Sequence, residues 1–324
     1  MIIVFYLCIL RECICILLIF YCIGLWYSVF HSISAFCNAG IDIIGDTSFM
    51  GFSTDIWINF VTMFLIISGG IGFIVIWDLM AVFSEAVKKR KFRHQIFERL
   101  TLHSKVAIAT SVCLIFVGTV LFFAFEFKNS STIGDYSLGE KLLTSLFQSV
   151  SSRTAGFVTV TQDSFRMHTY LIIMLLILIG GSPMSTSGGL KTTTVAMMFF
   201  CVKSVVKGKK DTEVFNRRIV NSNIKTGLTV IVLFMTMLIS GIIALSITDD
   251  FSGLETIFEC VSAIGTTGFS TGITPMLSLP GKIIILLLMF IGRIGPVTIV
   301  MAISGKNSHK DDTRQLAHKR IIVG

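Results

Sequence analysis

Charged side chains are scarce in this sequence, in which Asp, Glu, Lys and Arg together make up 14% of the 324 residues. An average soluble domain has about 25%. Hydrophobic residues make up 53% of the chain, and there are only 4 prolines to interrupt them. So little charge excludes an ordinary soluble domain. The composition instead predicts a polytopic membrane protein built from apolar helices.

Several kinds of site are also missing. The 8 cysteines form no Cys-x-x-Cys pair and no other metal-ligand spacing, so we expect reduced thiols and no bound metal. The stretch at Gly189 resembles a phosphate-binding loop, but Leu190 separates this glycine from Lys191, and the required Gly-Lys-Ser/Thr is absent. Met1 leads directly into apolar residues without a basic region, so no cleavable signal peptide is expected. The sequence therefore predicts no cofactor bound by this chain.

The positive charge is unevenly distributed along the chain. The net charge of +8 would by itself suggest a nucleic-acid partner. Lys and Arg instead concentrate at residues 88–105, 203–225 and 306–320, whereas the intervening loops carry acids such as Asp42, Asp46, Asp249 and Asp250. Basic loops of membrane proteins face the cytoplasm. We therefore predict a multi-pass protein of the cell membrane, with the basic loops and both termini in the cytoplasm and no nucleic-acid partner.

Six apolar segments are drawn as membrane spans, at residues 2–26, 56–83, 106–127, 171–202, 224–247 and 282–304. The fourth is interrupted by glycines, Pro183 and Lys191 within residues 179–194. Glycine and proline disfavour a helix there, and irregular backbone at membrane depth occurs only where it is buried in protein or lines water. We predict a helix broken at mid-membrane beside a hydrated path. The alternative is a cytosolic loop between two short helices.

An internal repeat follows the first, third and fifth spans. Residues 30–41 read FHSISAFCNAGI, residues 147–157 read FQSVSSRTAGF, and residues 258–269 read FECVSAIGTTGF. Each string contains Phe-x-x-Val/Ile-Ser, then small or hydroxyl residues, then glycine. We predict that each is a short amphipathic helix ending in a glycine-centred extended segment. The chain then divides into three units, at residues 1–104, 105–222 and 223–324.

A half-helix followed by a glycine-containing extended segment is how carbonyl-lined ion filters are built. Glycine lets carbonyls point to one axis, where they replace the water around a cation, and the half-helix directs the negative end of its dipole towards that cation. One such segment could also be an extracellular amphipathic helix with a turn glycine. Three copies at equivalent positions favour an ion path.

The repeat strings, residues 180–194 and the IGRIGP sequence at residues 291–296 together resemble the membrane subunit of the Trk/Ktr/HKT potassium transporters, most closely the Ktr type. The resemblance covers essentially the whole chain. It implies an all-α membrane protein in which four membrane helix–pore loop–membrane helix repeats surround one central ion pore. Gly40, Gly156 and Gly268 match the glycines of the second, third and fourth repeats, so three of four repeats are expected and the chain looks truncated at its N-terminus. Cys37 and Ile41 stand where the family usually has Asn and Phe.

The same resemblance implies site residues and partners. The implied ion-binding filter residues, whose carbonyls alone would hold K⁺, are Asn38, Ala39, Gly40, Thr154, Ala155, Gly156, Thr266, Thr267 and Gly268. The implied gate residues are Gly180, Gly181, Ser182, Pro183, Gly188, Gly189, Lys191 and Arg293. The charge of Arg293 would repel cations when the path is closed. The implied partners are a second copy of the subunit, a cytosolic nucleotide-binding regulatory subunit of the Ktr type, and membrane lipid.

The leading interpretation is a potassium uptake subunit that moves monovalent cations down, or coupled to, an electrochemical gradient. Sodium selectivity or sodium coupling is the nearest alternative, because the first filter residue, which bears on this preference in the family, is absent. A non-conducting fragment is a third possibility. The chain is not expected to be an enzyme. An intramembrane enzyme would need paired carboxylates, a histidine cluster or a Ser–Lys dyad at membrane depth; the histidines are scattered, and the dyad would have to combine Lys191 with Ser182, Ser185 or Ser187. Catalysis does not require the threefold glycine repeat.

Overall fold

The computed structural model describes residues 24–45, 48–88, 96–209, 211–215, 217–295 and 298. Its helices are α1 (Leu25–Phe36), α2 (Ile56–Gly70), α3 (Phe73–Lys88), α4 (Ile96–Arg99), α5 (Leu102–Glu126), α6 (Leu138–Ser151), α7 (Met167–Leu178), α8 (Thr192–Val206), α9 (Asn221–Thr248), α10 (Gly253–Gly265) and α11 (Leu279–Ile294). A small antiparallel hairpin pairs β1 (Glu213–Val214) with β2 (Arg217–Arg218). Short 3-10 turns lie at Met50–Phe52 and Thr274–Met276. The described chain is mostly helical, as predicted.

The three repeat strings form the three short helices α1, α6 and α10, which confirms that prediction. Ser137 and Glu140 form a reciprocal capping box at the start of α6, and Ser252 and Glu255 form the same box at the start of α10. Each box satisfies two backbone donors that a helix end leaves without partners. Helices of 12, 14 and 13 residues are too short to be stable alone. They depend on the packing of their buried faces.

Helices α5 and α9 follow the predicted spans at residues 106–127 and 224–247. Within the described residues they are the helices that are individually long and apolar enough to cross a membrane, at 25 and 28 residues. Their exposed faces carry large apolar side chains such as Phe116, Ile239 and Ile243. Such faces suit contact with lipid. The predicted span at residues 2–26 lies almost wholly outside the described residues.

The second helix is interrupted in the first two units. Residues 56–83, drawn as one span, form two helices that meet at an angle of 99°, a bend that the sequence analysis did not predict. Gly72 forms this corner with a φ of 93°, and a Cβ atom there would lie 2.6 Å from the Pro183 carbonyl oxygen. Helix α11 ends in the same way before Gly295, whose φ is 92°. The predicted span at residues 282–304 is described only up to residue 295 and at residue 298.

The predicted break in the span at residues 171–202 is confirmed. Helices α7 and α8 are separated by residues 179–191, here called the 179–191 loop. The loop folds back on itself, since the Leu190 amide donates to the Leu178 carbonyl (3.0 Å) and the Thr192 amide donates to the Gly181 carbonyl (3.0 Å). A parallel bridge also pairs Ile179 with Leu190. The loop is therefore an ordered part of the described structure.

Carboxylates join the long helix to the second helix in the last two units. Glu126, fully buried at the end of α5, accepts hydrogen bonds from the Arg166 amide (3.0 Å) and the Thr169 hydroxyl at the start of α7. Asp249, directly after α9, accepts from the Ser278 amide (2.8 Å) and hydroxyl (2.9 Å) at the start of α11. The Ser278 amide is the main reason that the pKa of Asp249 lies below its ordinary value. The two units thus share one architecture.

Two apolar clusters hold neighbouring units together. One brings Phe36 and Phe49 of the first unit against Phe147 and Phe157 of the second. The other brings side chains of the second unit, such as Ile177, against residues of the third unit that include Phe258, Phe234 and Leu288. The half-helix of each later unit thereby packs against the second helix of the unit before it, α6 against α2 and α10 against α7.

Candidate functional site

The three repeat strings end in the same backbone conformation. We call residues 38–40, 154–156 and 266–268 the three glycine segments. In each segment the first residue is left-handed, with φ of 48° at Asn38, 73° at Thr154 and 54° at Thr266. The glycines Gly40, Gly156 and Gly268 have φ of 66°, 91° and 89°. Only the position of the glycine was predictable; the left-handed residue two positions earlier replaces the simple extended segment that the sequence suggested.

Neighbouring glycine segments touch through their backbones. A Cβ atom added to Gly40 would overlap the carbonyl oxygen of Ala155, and one added to Gly156 would overlap the carbonyl oxygen of Thr267. A Cβ atom added to Gly268 would meet nothing within 4 Å. The segments therefore lie in the order 40, 156, 268, and the side next to Gly268 is open among the described residues.

The open side faces a cavity of about 420 Å³. Its walls include Asn38 and Ala39 from the first glycine segment and Thr267 and Gly268 from the third, and Arg293 closes part of it. Both ends of the row of segments thus line one space. The row is bent around this cavity.

In the first two repeat strings the motif serine holds the chain that leaves the glycine. The Ser34 hydroxyl donates to the Ile41 carbonyl (2.7 Å), and the Ser151 hydroxyl donates to the Phe157 carbonyl (2.5 Å). Both acceptors belong to the residue directly after the segment glycine. Ser34 and Ser151 are therefore structural anchors of the first two glycine segments.

A second anchor was missed by the sequence analysis. The residue after the motif phenylalanine is His31, Gln148 or Glu259, and all three are buried. His31 Nε2 accepts from the Ile43 amide (3.3 Å), Gln148 Nε2 donates to Gln162 Oε1 (3.4 Å), and Glu259 accepts from the Thr274 hydroxyl. Each bond joins a half-helix to the chain beyond its own glycine. The signal was a polar residue at this one position in all three strings.

The 179–191 loop is bound to the corner between α2 and α3. The Ser182 amide donates to the Gly70 carbonyl (2.9 Å), and the Thr186 amide donates to the Gly69 carbonyl (3.2 Å). In return, the Phe73 amide donates to the Met184 carbonyl (2.9 Å). In an unbroken helix, the Gly69 and Gly70 carbonyls and the Phe73 amide would form hydrogen bonds within the helix. At the corner they bind the loop instead. The loop therefore depends on the break that the sequence analysis missed.

The same loop touches all three glycine segments. Asn38 Nδ2 donates to Thr186 Oγ1 (2.7 Å). A Cβ atom added to Gly180 would lie 3.1 Å from Thr154 Cγ2, and one added to Gly188 would overlap the hydroxyl of Thr266. Glycine is required at position 188 because no side chain fits against the third segment. The predicted neighbourhood of loop and glycine segments is thus present in the structure.

The remaining predicted gate residues shape the loop itself. Ser182 is fully buried, and its hydroxyl lies 3.0 Å from the Thr192 hydroxyl. A Cβ atom at Gly181 would lie 2.5 Å from Ser187 Oγ, and Gly189 has a φ of 65°. Pro183 contributes the carbonyl that faces the Gly72 corner.

Cationic side chains also donate hydrogen bonds to backbone carbonyls of the loop, and two of them are predicted gate residues. Lys191 Nζ donates to the Ser187 carbonyl (2.6 Å), and Arg293 donates to the Thr186 carbonyl. Lys191 is thus directed to a carbonyl rather than to a serine hydroxyl, and the geometry does not form the Ser–Lys dyad of an intramembrane enzyme. In the part of the chain that the structure describes, no group of three or more His, Cys, Asp or Glu side chains could hold a metal. The chemistry of the site is that of carbonyls, hydroxyls and three fixed cations, since Arg153 also donates to the Gly180 carbonyl (3.1 Å).

Comparison with known proteins places this geometry in context. The profile of the TrkH family, described as cation transport protein, matches residues 2–310. The potassium/sodium uptake protein NtpJ of Enterococcus hirae is 35% identical over 305 residues, which cover 93% of this chain and 64% of that protein. The Ktr system potassium uptake protein B of Bacillus subtilis is 38% identical over 279 residues, which cover 86% of this chain and 60% of that protein.

A solved structure has the same fold. The crystal structure of the potassium transporter TrkH from Vibrio parahaemolyticus matches with a TM-score of 0.74 at 16% sequence identity, over 93% of this chain and 63% of that one. The chain spans less than two thirds of the length of the relatives named here.

The asymmetry of the glycine segments predicts unequal effects of alanine. Gly156→Ala should lower the free energy of unfolding by roughly 3 kcal/mol, because its methyl group must displace the Thr267 carbonyl in addition to adopting an unfavourable φ. Gly268→Ala should lower the free energy of unfolding by only about 1–2 kcal/mol, because alanine is strained at this positive φ but meets no neighbouring atom. Gly139→Ala, in an open helical position of α6, should be neutral or stabilising. Thermal unfolding in detergent measures all three, and equal losses for Gly156→Ala and Gly268→Ala would contradict the order of the segments.

Proposed function

Because this chain belongs to the TrkH family of cation transport proteins, we propose that it lines a path through which K⁺ enters the cell. The observation that carries the proposal is the row of three glycine segments with one shared backbone conformation, bent around a single cavity above an ordered loop. The names of two relatives include potassium uptake, and one includes sodium as well. Potassium is therefore the first candidate and sodium the second.

The proposed filter consists of the nine residues of the glycine segments. Each segment directly follows the C-terminus of a half-helix, where the helix dipole presents partial negative charge. Carbonyl oxygens can replace the water around a monovalent cation when no side chain intrudes. The positive φ at the three positions favours glycine, and the lack of a side chain at Gly40 and Gly156 lets neighbouring segments touch through their backbones. K⁺ is the transported substrate here, and we propose no bound cofactor.

The open side beside Gly268 is where we place a fourth glycine segment. The contacts between the first and second segments, and between the second and third, set the spacing that such a segment would repeat. The cavity of about 420 Å³ is then the ion path with one wall outside the described residues. Potassium-dependent growth of an uptake-deficient host tests this, with the chain expressed alone and with its upstream coding region. Growth only in the second case is expected, and growth in neither would contradict the proposed function.

Selectivity tests the filter residues. In a form of the protein that transports, Gly156→Ser and Gly268→Ser should each reduce the preference for K⁺ over Na⁺ by about tenfold, equivalent to ~1.4 kcal/mol. The added side chains would disturb the carbonyls that replace the water around K⁺. Competition between Rb⁺ and Na⁺ uptake into proteoliposomes measures this preference. Unchanged preference in both variants would rule out these segments as the filter, and Gly139→Ser on the exposed start of α6 serves as the control.

We propose that the 179–191 loop and Arg293 form the gate. The loop passes against all three glycine segments, and Arg293 both binds the Thr186 carbonyl and lines the cavity. A fixed positive charge beside the path opposes the entry of cations while the loop is in place. Movement of the loop would remove both obstacles together.

Removal of the gate contacts should increase transport. Arg293→Ala, or deletion of part of the 179–191 loop, should raise the rate of K⁺ flux by roughly tenfold, because a hydrogen bond from a charged group stabilises the closed arrangement by about 1.5–3 kcal/mol. Lys282→Ala removes an exposed charge from the same helix and should leave the flux unchanged. Reduced or unchanged flux in well-folded Arg293→Ala protein would show that Arg293 has a structural role instead.

The cytoplasmic orientation of the basic loops and the binding partners are also proposals. We propose a homodimer, docked through its basic face on a soluble nucleotide-binding regulatory protein and surrounded by membrane lipid. Such a regulator could move the loop only by binding the protein differently in its two states. Anionic lipid would contribute about 1 kcal/mol for each Lys or Arg near the membrane surface.

Charge reversal tests the docking face. Lys88→Glu, Lys89→Glu and Arg90→Glu together should weaken co-purification of the soluble partner in mild detergent, because they remove positive charge from the basic loop at residues 88–105. Lys128→Glu, at the opposite end of α5, should not. A monomer that co-purifies with no soluble nucleotide-binding protein would contradict the proposed assembly.

A further inference from the structure

Arg153 is a buried cation that has no carboxylate partner among the described residues. It lies three residues before Gly156, and only 9% of it is exposed. Its guanidinium donates to the Ser111 carbonyl (3.5 Å), the Ser111 hydroxyl (3.3 Å) and the Gly180 carbonyl (3.1 Å). A buried charge costs several kcal/mol unless polar groups surround it. The C-terminus of α6, at Ser151, contributes part of that compensation through its dipole.

One donor of this guanidinium remains without a partner. Arg153 Nε is buried and forms no hydrogen bond, and the same is true of Ser187 Oγ in the 179–191 loop. Ser187 is 4% exposed. A buried donor or acceptor without a hydrogen-bond partner lowers the stability of the fold by about 1–3 kcal/mol. A molecule that forms hydrogen bonds with both groups would remove this loss.

Arg153 and Ser187 line the same small cavity. It has a volume of about 20 Å³. The rest of its lining combines Gly70, Ser111 and Gly181 with five aliphatic side chains, Ile66, Ile67, Ile71, Ile115 and Val150, so Arg153, Ser187 and Ser111 supply its polar side chains. A cavity needs roughly 10–15 Å³ of water-accessible space to hold one water molecule, together with polar partners. This cavity offers the space for one water and two unsatisfied polar groups to bind it.

The surrounding glycines leave room for the Ser187 hydroxyl. A Cβ atom at Gly181 would lie 2.5 Å from Ser187 Oγ, and one at Gly70 would lie 3.1 Å from it. The hydroxyl thus sits where the loop crosses the α2 corner, while Arg153 lies on the approach to the second glycine segment. The cavity is the junction of three elements: the α2 corner, the loop and the glycine segment.

We propose that Arg153 Nε and Ser187 Oγ share one buried water molecule, which ties the second glycine segment to the 179–191 loop. The Nε–H group donates to the water oxygen, and the Ser187 hydroxyl pairs with the same water, so both unsatisfied groups gain a partner. Arg153 then holds the loop at two points, directly at the Gly180 carbonyl and through water at Ser187. That this bridge restrains a gate rests on the proposed function; the water itself does not.

A high-resolution structure of the complete protein tests the site directly. We expect one density peak in the cavity, within hydrogen-bond distance of Arg153 Nε, and loss of that peak in Ser187→Ala. An empty cavity in the unmodified protein would overturn the proposal. So would a halide, which crystals grown in bromide would reveal by anomalous scattering, since an anion would balance the Arg153 charge without a bridge to the hydroxyl.

A double-mutant cycle tests the bridge independently of transport. Ser187→Ala should lower the midpoint of thermal unfolding by about 3 °C, and Arg153→Lys should lower it by more, because an ammonium group cannot keep all the direct bonds of the guanidinium to Ser111 and Gly180. The two side chains form no direct hydrogen bond, so a shared water predicts that the double variant loses little more than Arg153→Lys alone. Ser240→Ala, at an exposed serine of α9, is the control. It should leave the midpoint of thermal unfolding unchanged, both alone and when it is combined with Arg153→Lys.

Additive losses for Arg153→Lys and Ser187→Ala would overturn the proposal. The density in the unmodified protein decides the question even if Arg153→Lys does not fold. Neither measurement depends on ion movement, so a failure of the water bridge is distinguishable from a failure of the proposed transport function.

Discussion

The backbone of each glycine segment touches the backbone of the next, and no side chain fits between them. A Cβ atom at Gly156 would overlap the Thr267 carbonyl oxygen, and a similar exclusion applies between Gly40 and Ala155. The same kind of contact joins two of the half-helices, α1 and α10, to the second helix of their own unit. A Cβ atom at Gly69 would overlap the Phe36 carbonyl oxygen, and one at Gly292 the carbonyl oxygen of Ile264. Direct backbone contact therefore sets the distances among segments, half-helices and second helices.

The loop is held by hydrogen bonds to carbonyls rather than by ion pairs. Arg293, Lys191 and the amides of Ser182 and Thr186 all donate to backbone oxygens. Each such bond can be exchanged for a bond to water, and its net contribution is only about 0.5–3 kcal/mol. The loop is thus well ordered in this arrangement, yet a ligand that favours another arrangement by a few kcal/mol could displace it. Salt bridges buried at the same depth would resist such exchange much more strongly.

The sequence predicted the repeated parts of the site and missed the parts that depend on tertiary contacts. Three strings with the same phenylalanine, serine and glycine were enough to place the half-helices and the segment glycines. The corner at Gly72 was missed because residues 73–83 continue the apolar pattern. A local signal for it existed, since Gly69-Gly70-Ile71-Gly72 matches Gly292-Arg293-Ile294-Gly295 and both last glycines have positive φ. The bond between Asn38 and Thr186 joins residues 148 positions apart, and no local pattern contains it.

The short second helices determine where the membrane voltage would fall. Helix α7 has 12 residues and helix α2 has 15, which correspond to lengths of about 18 and 23 Å. A hydrocarbon core is about 30 Å thick. With these breaks at membrane depth, water would approach from one face up to the 179–191 loop, and the insulating layer along the proposed path would shrink to the loop and the glycine segments. A charge crossing the full potential gains about 2.3 kcal/mol for each 100 mV. Most of that energy would be delivered over these few residues, and the electric field would be strongest at the bonds that hold the loop in place.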